Sequence, residues 1–409
     1  MPDLPQEPHP EGLVFRSPDA GPGLHVLLVG VSAYPYLNDG DHQCADTRGL
    51  GQIDCAARTA YEIFNWLERP PKLQLRHPLR TCRLLASPSQ AELLTAPQLA
   101  NALPATFDNL RKAVRAWRKD AATDRAGAAL FYFAGHGIQR TRGDSLLLLS
   151  EFLDPDAATL AHSVDMSCIY DGMGEPNFPA MAQTQYYFID ACRTDLAGVQ
   201  ALADRSAPAL WDVTLGGRDE RVAPIFHGAG SGQLAYGSTV PGEMSAFGTD
   251  LLRCLAGGGA ECVRSADGTS RWEVTIGTLT RSLPLLIQEA NQARRLRSFG
   301  VDKWTDMDAT ITVLPDAPTV DCVLQIRPNG AESHALIDLT LGATPYKWGP
   351  PLKNPHPFQV KAGGYVLVAS VRSDPTPADT EINAPADTEI KKEVVTVSPP
   401  RFTYSVVFP

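Results

Sequence analysis

Apolar positions follow two different patterns along this chain. Up to about residue 316, unbroken apolar runs alternate with stretches whose apolar residues recur every three or four positions. The first run, His25-Val-Leu-Leu-Val-Gly-Val31, is of the kind buried on both faces of a parallel sheet. Further runs lie at Thr81–Ala86, Ala128–Ala134, Gln185–Asp190, Val222–Gly228 and Ala309–Leu314. Between the first two, Ala57, Ala60, Ile63, Phe64 and Leu67 keep helical spacing within Ile53–Arg69, stopped by Pro70-Pro71. Leu99, Leu103, Leu110, Val114 and Trp117 mark a second helix over Pro97–Lys119, and two more fall near Ser245–Leu255 and Gly277–Leu296. Six strands alternating with helices predict an α/β domain with a mostly parallel sheet over residues 23–316. Residues 1–22, polar and proline-rich, read as a flexible lead-in.

After Pro315 the helical period disappears. Alternating segments at Val323–Ile326, His334–Leu339, Tyr365–Val371, Val394–Val397 and Phe402–Phe408, separated by Pro, Gly and Asp turns, predict a small all-β sandwich over residues 320–409. A short duplication, Pro377–Ile382 and Pro385–Ile390, is too brief for a solenoid and reads as an extended loop or edge hairpin.

Composition narrows the functional classes. The 409 residues carry a formal net charge of −10 without Lys/Arg blocks, which argues against nucleic-acid binding. No apolar run reaches the ~18 residues that span a bilayer, so no membrane partner is expected. A basic leader followed by an apolar stretch is also missing, which points to a cytoplasmic location. None of the eight cysteines has C-x-x-C spacing, so they read as reduced thiols. His42, Cys44 and Cys55 lack a fourth metal ligand at sensible spacing, and no metal or cofactor is expected. No glycine-rich phosphate loop follows the first strand, where Gly30-Val-Ser-Ala-Tyr34 stands instead, which discounts a nucleotide-binding enzyme.

Two strand ends carry candidate chemistry. Phe131-Tyr-Phe-Ala-Gly-His-Gly137 sets a histidine between glycines, and Phe188-Ile-Asp-Ala-Cys-Arg193 sets a cysteine at the end of the next run. Ligand crevices in open α/β sheets lie at the carboxyl ends of the strands. On neighbouring strands, His136 and Cys192 would emerge side by side, the minimum apparatus for thiol nucleophilic catalysis. Backbone N–H groups of Gly137 and Cys192 would then cradle the oxyanion of a tetrahedral intermediate.

With these residues in this order and 56 positions apart, the sequence resembles the caspase-like cysteine peptidases, the group of caspases, metacaspases and bacterial relatives. Ser32-Ala-Tyr34 after the first strand, Ser231–Tyr236 and Phe247–Leu252 also look like family segments. The resemblance implies a three-layer caspase fold with six strands, and cleavage of protein substrates through a thioester acyl-enzyme. It implies that Asp190 lines the S1 pocket and favours Arg or Lys at P1. Asp54, in Gly51-Gln-Ile-Asp-Cys-Ala56, stands one position from the family's second pocket acid. Arg193 either lowers the Cys192 pKa or pairs with Asp190. The stretch 194–221 lies where caspases carry an activation linker, and its Arg205, Arg218 and Arg221 are candidate self-cleavage sites of a zymogen. An upstream protease or ligand as trigger, and a stress or defence role, are further implications. A signalling scaffold whose β-sandwich binds partners, with proteolysis secondary, is the alternative.

Overall fold

Strands without polar interruption need cover on both faces, and the central sheet follows from that requirement. The computed structural model describes residues 4–68, 74–139, 145–174, 178–193, 206–212, 219–229, 240–264, 268–291, 299–303, 307–342, 344–371 and 388–408. The chain begins with β1 (Leu13–Arg16), β2 (Leu24–Val31), α1 (Ala56–Glu68), β3 (Gln74–Leu75), β4 (Leu79–Ser87) and α2 (Gln90–Thr95). Then come α3 (Phe107–Ala121), β5 (Ala128–Gly135), β6 (Gly137–Ile138), β7 (Leu146–Leu148), β8 (Ser163–Asp165), α4 (Met166–Gly172) and β9 (Thr184–Ala191). After these lie β10 (Ile225–His227), α5 (Ala246–Arg253), β11 (Glu261–Arg264), β12 (Ser270–Thr275), α6 (Ile276–Asn291), β13 (Gly300–Asp302) and β14 (Thr310–Leu314).

Among the described residues the central sheet has seven strands, ordered β1-β4-β2-β5-β9-β10-β13. Its inner five run parallel. The edges, β1 and β13, run antiparallel to their neighbours. This differs from the expected six strands in two ways. The expected sixth strand, β14, lies outside the sheet, while two edges of four and three residues join it. Elements that short carry no period to read. The lead-in is also only partly irregular, since Leu13 pairs with Arg83 and Arg16 with Thr81.

On one face of the sheet, Leu110, Val114 and Trp117 of α3 share a buried core with Leu27, Val29, Phe131, Phe133, Tyr187 and Ile189. Side chains alternate between faces along a strand, so Tyr132 and Asp190 point to the other side. The expected helix over Pro97–Lys119 is broken at Pro104. α3 starts only at Phe107, where the Thr106 hydroxyl accepts from the Asn109 N–H at 3.4 Å. The N-terminus of α1 is capped from outside the helix. Ser32 Oγ accepts from the N–H groups of Ala56 and Ala57, and Glu92 accepts from that of Arg58. Glu92 itself sits in a capping box with Ser89 at the start of α2.

Contacts divide the chain into two compact units, Met1–Leu252 with Leu283–Ile311, and Arg253–Ser282 with Thr312–Pro409. The second contains β15 (Thr319–Arg327), β16 (Ala335–Leu341), β17 (Thr344–Trp348), β18 (His356–Lys361), β19 (Gly363–Val371), β20 (Thr388–Val397) and β21 (Arg401–Val407). They form a three-stranded sheet, β18-β15-β21, and a four-stranded one, β17-β16-β19-β20. Both contribute to a single core that includes Cys322, Leu324, Ile337, Leu339, Tyr365, Leu367, Val397 and Val406. Pairing is antiparallel except between β15 and β21, which run parallel. Trp272 of β12 packs on this core, and Arg253 is paired with Asp321. The segment 253–282 thus groups with the β sheets rather than with the α/β domain assigned to it by sequence. Pro377–Ile382 and the first half of the second copy of the duplication lie outside the described residues.

Candidate active site

Strands β5 and β9 are direct neighbours, with Ala134 opposite Asp190 and Gly135 opposite Ala191. His136 and Cys192 are the next residue on each strand, so the two leave the sheet at the same level. Cys192 is partly exposed and is not in a disulfide. Gly137 lies against the chain that carries it. A Cβ there would stand 2.6 Å from the Cys192 carbonyl oxygen, so no side chain fits.

The imidazole is held in one tautomer. His136 Nε2 lies 2.7 Å from the Gly51 carbonyl oxygen, which can only accept, so Nε2 carries the proton. Nδ1 is left with the lone pair that a general base needs. Burial pushes the His136 pKa below its ordinary value, and the Gly51 bond opposes this in part. The ring is therefore neutral near pH 7.

The Gly137 N–H faces away from the neighbouring strand. Leu148 N–H donates to the His136 carbonyl at 3.0 Å, which makes that pair the hydrogen-bonded rung between the two strands. Gly137 opposite Leu147 is then a non-hydrogen-bonded position, with its N–H directed away from β7.

Asp190 is 6% exposed and lies on the opposite pleat from Ile189. Its Oδ2 accepts from the Tyr132 hydroxyl at 2.9 Å and from Ser245 Oγ just ahead of α5. Desolvation by burial pushes its pKa up to about 6, against the opposing pull of these two hydroxyls. A Cβ at Gly228 would lie 3.2 Å from Asp190 Oδ1, so a larger residue there would crowd that oxygen.

Arg193 does not neutralise Asp190. Its Nη1 lies 3.2 Å from the Asp302 carboxylate on β13, which also stands 3.0 Å from His227 Nε2. The His227 and Arg193 contacts together hold the Asp302 carboxyl below the ordinary carboxylate range.

Asp54 is exposed, and what it contributes is a backbone carbonyl that accepts from Gly242 N–H at 2.7 Å. Its neighbour Cys55 is the buried one. Arg221 is not placed for cleavage. It is 4% exposed, and its guanidinium binds Asp219, the Tyr170 carbonyl and Gln185. A P1 arginine has to leave such partners to enter a protease pocket. Arg205, Arg218 and Ser231–Tyr236 lie outside the described residues. No group of three or more His, Cys, Asp or Glu side chains gathers at metal-binding range among the described residues.

Tyr34, Tyr132, Ser245 and Asp302 belong to this region although sequence reasoning gave them no role. Tyr34 stands in the family-like segment Ser32-Ala-Tyr34, and Tyr132 also left a readable signal, since its pleat parity matches that of Asp190 once β5 and β9 are paired.

An α/β sheet that presents histidine and cysteine at adjacent strand ends is a layout suited to thiol catalysis. The profile of the family described as Caspase domain matches residues 57–269, just over half of the chain, and spans both residues. The chain belongs to that family, and as such is a cysteine peptidase. No curated protein matches the sequence.

Proposed function

We propose that the protein is a cysteine endopeptidase that cuts after Arg or Lys through Cys192 and His136. The observation that carries the dyad is the register of β5 and β9 together with the Gly51 carbonyl on His136 Nε2. In this reading Nδ1 takes the Cys192 thiol proton, and the thiolate forms a bond to the scissile carbonyl carbon. The N–H groups of Gly137 and Cys192 receive the oxyanion. As the C–N bond breaks, the imidazolium returns its proton to the leaving amine. Water then attacks the thioester. His136 accepts a proton from that water, and the departing thiolate takes it back as the acid product forms.

Asp190 supports a basic P1 residue. Among the described residues the side chains that hold this buried carboxylate are two hydroxyls, and an arginine or lysine side chain would supply a countercharge. We read the two C-terminal sheets as a recognition or stabilising sandwich without catalytic groups of its own. Processing within residues 194–221, at Arg205 or Arg218, is the proposed activation step, driven by the enzyme itself or an upstream protease. A cytoplasmic setting and a stress or defence role complete the reading.

The test is covalent labelling by an irreversible peptide probe together with hydrolysis of peptide substrates. Cys192→Ala is expected to abolish both, and His136→Ala to leave a trace. Activity above about a hundredth of the parent in Cys192→Ala would contradict the assignment, since losing a nucleophile costs several orders of magnitude.

A further inference from the structure

We infer that Tyr34 and Gln52 are positioning residues for His136, an inference that rests on the proposed Cys192–His136 pair. A group that takes and returns a proton has to be held to within about 0.5 Å of its working position. His136 stands between two glycines at the end of a strand, where its own backbone offers little restraint.

Its anchors come instead from the loop after β2. The buried Tyr34 hydroxyl accepts from the His136 N–H at 2.9 Å and donates to the Leu148 carbonyl at 3.2 Å. Leu148 N–H donates in turn to the His136 carbonyl at 3.0 Å. One side of the His136–Leu148 rung is thus closed directly, and the other through the phenol oxygen. The Tyr34 ring also lies 4.9 Å from the imidazole, centroid to centroid.

The ring anchor is tied to this main-chain anchor by one amide. Gln52 Oε1 accepts from Tyr34 N–H at 2.8 Å, and its Nε2 donates to the carbonyls of Tyr34 and Asn38, each at 2.9 Å. Gly51, whose carbonyl fixes Nε2, is the residue immediately before Gln52. Tyr34 therefore sets where His136 stands, and Gln52 sets the oxygen that chooses its tautomer. A displacement of about 1 Å at a reacting group is enough to cost on the order of a hundredfold.

The experiment compares full-length Tyr34→Phe and Gln52→Glu with the parent. Tyr34→Phe removes the bridging hydroxyl and keeps the ring. Gln52→Glu keeps the acceptor toward Tyr34 N–H and loses both donors. Each is expected to lower kcat by about ten- to a hundredfold with KM within about twofold. The pH midpoint of iodoacetamide alkylation at Cys192, followed by peptide mass spectrometry, should move. The ¹⁵N signals of His136 should shift from the Nε2-protonated form toward a mixture of tautomers. If either variant melts earlier but keeps the parent kcat, alkylation midpoint and ¹⁵N signature, its residue only packs the core and the inference fails. His136→Ala run in parallel separates the two levels: unchanged alkylation of Cys192 there overturns the dyad itself.

Discussion

Asp190 is the carboxylate proposed to receive a basic P1 residue, and burial works against its charge. Its folded pKa, about 6, lies above the ordinary 3.8, so the folded state holds on to a proton that the unfolded chain gives up first. The penalty is absent below about pH 3.8 and builds as pH rises through about 6, where folding has to carry a buried charge. Asp190→Asn keeps an acceptor for Tyr132 and Ser245 and removes that charge. It is expected to be more stable than the parent near pH 7.5 by roughly 1–3 kcal/mol, a gap that closes toward pH 4. The same variant should lose two or more orders of magnitude in kcat/KM on P1 Arg peptides, and far less on P1 Leu. In the parent, P1 Arg cleavage should weaken as pH falls through about 6. Urea melts across pH and a panel with P1 Arg, Lys, Asp and Leu read both effects; faster cleavage after Asp than after Arg defeats the pocket assignment. Arg193 does not blunt this preference, because Asp302 and not Asp190 holds it.

At the level of elements, α1 is fastened to the sheet through its N-terminus. Three N–H groups at its start are satisfied by Ser32 from the end of β2 and by Glu92 from α2. Ser32 is fully buried and also donates to Glu92 at 3.0 Å. Ser32→Ala leaves two helix N–H groups and one carboxylate oxygen without that partner, away from water. A loss of about 1–3 kcal/mol in chemical denaturation is expected. A loss under about half a kcal/mol would mean that water or a backbone shift replaces the hydroxyl. In the α/β region sequence patterning reached β2, β4, β5, β9, β14, α1, α3, α5 and α6, none of them shorter than five residues. β1, β10 and β13 have four, three and three residues, and pairing rather than period defines them. Only the residues around β10 were expected, and its partner β13, with Asp302, went unseen.

At the scale of the whole molecule, the two contact units do not divide at the composition break near Pro315. Residues 253–282 belong with the C-terminal sheets, where Trp272 covers part of their core and the Thr312 hydroxyl donates to the Leu255 carbonyl at 3.0 Å. A chain ending at residue 318 keeps Trp272 and removes the strands it packs on. It is expected to bind a hydrophobic dye and to show red-shifted tryptophan emission relative to the full chain. A truncated chain that stays monodisperse and dye-free would show that the 253–282 segment finds cover without β15–β21.

Sequence alone determined the alternation of buried strands and helices, the change to β structure near residue 316, and the two strand ends that carry His136 and Cys192. Each is a local property, written in apolar spacing or in a few adjacent residues. Only the tertiary structure decided which partner each polar side chain meets. Arg193 finds Asp302 from an edge strand more than a hundred residues later, and Asp190 finds Tyr132 and Ser245. His136 finds the Gly51 carbonyl and the Tyr34 hydroxyl. Desolvation and hydrogen bonding act through space, and the pleat of paired strands sets which side chains share a face. Neither has a period that a one-dimensional pattern records.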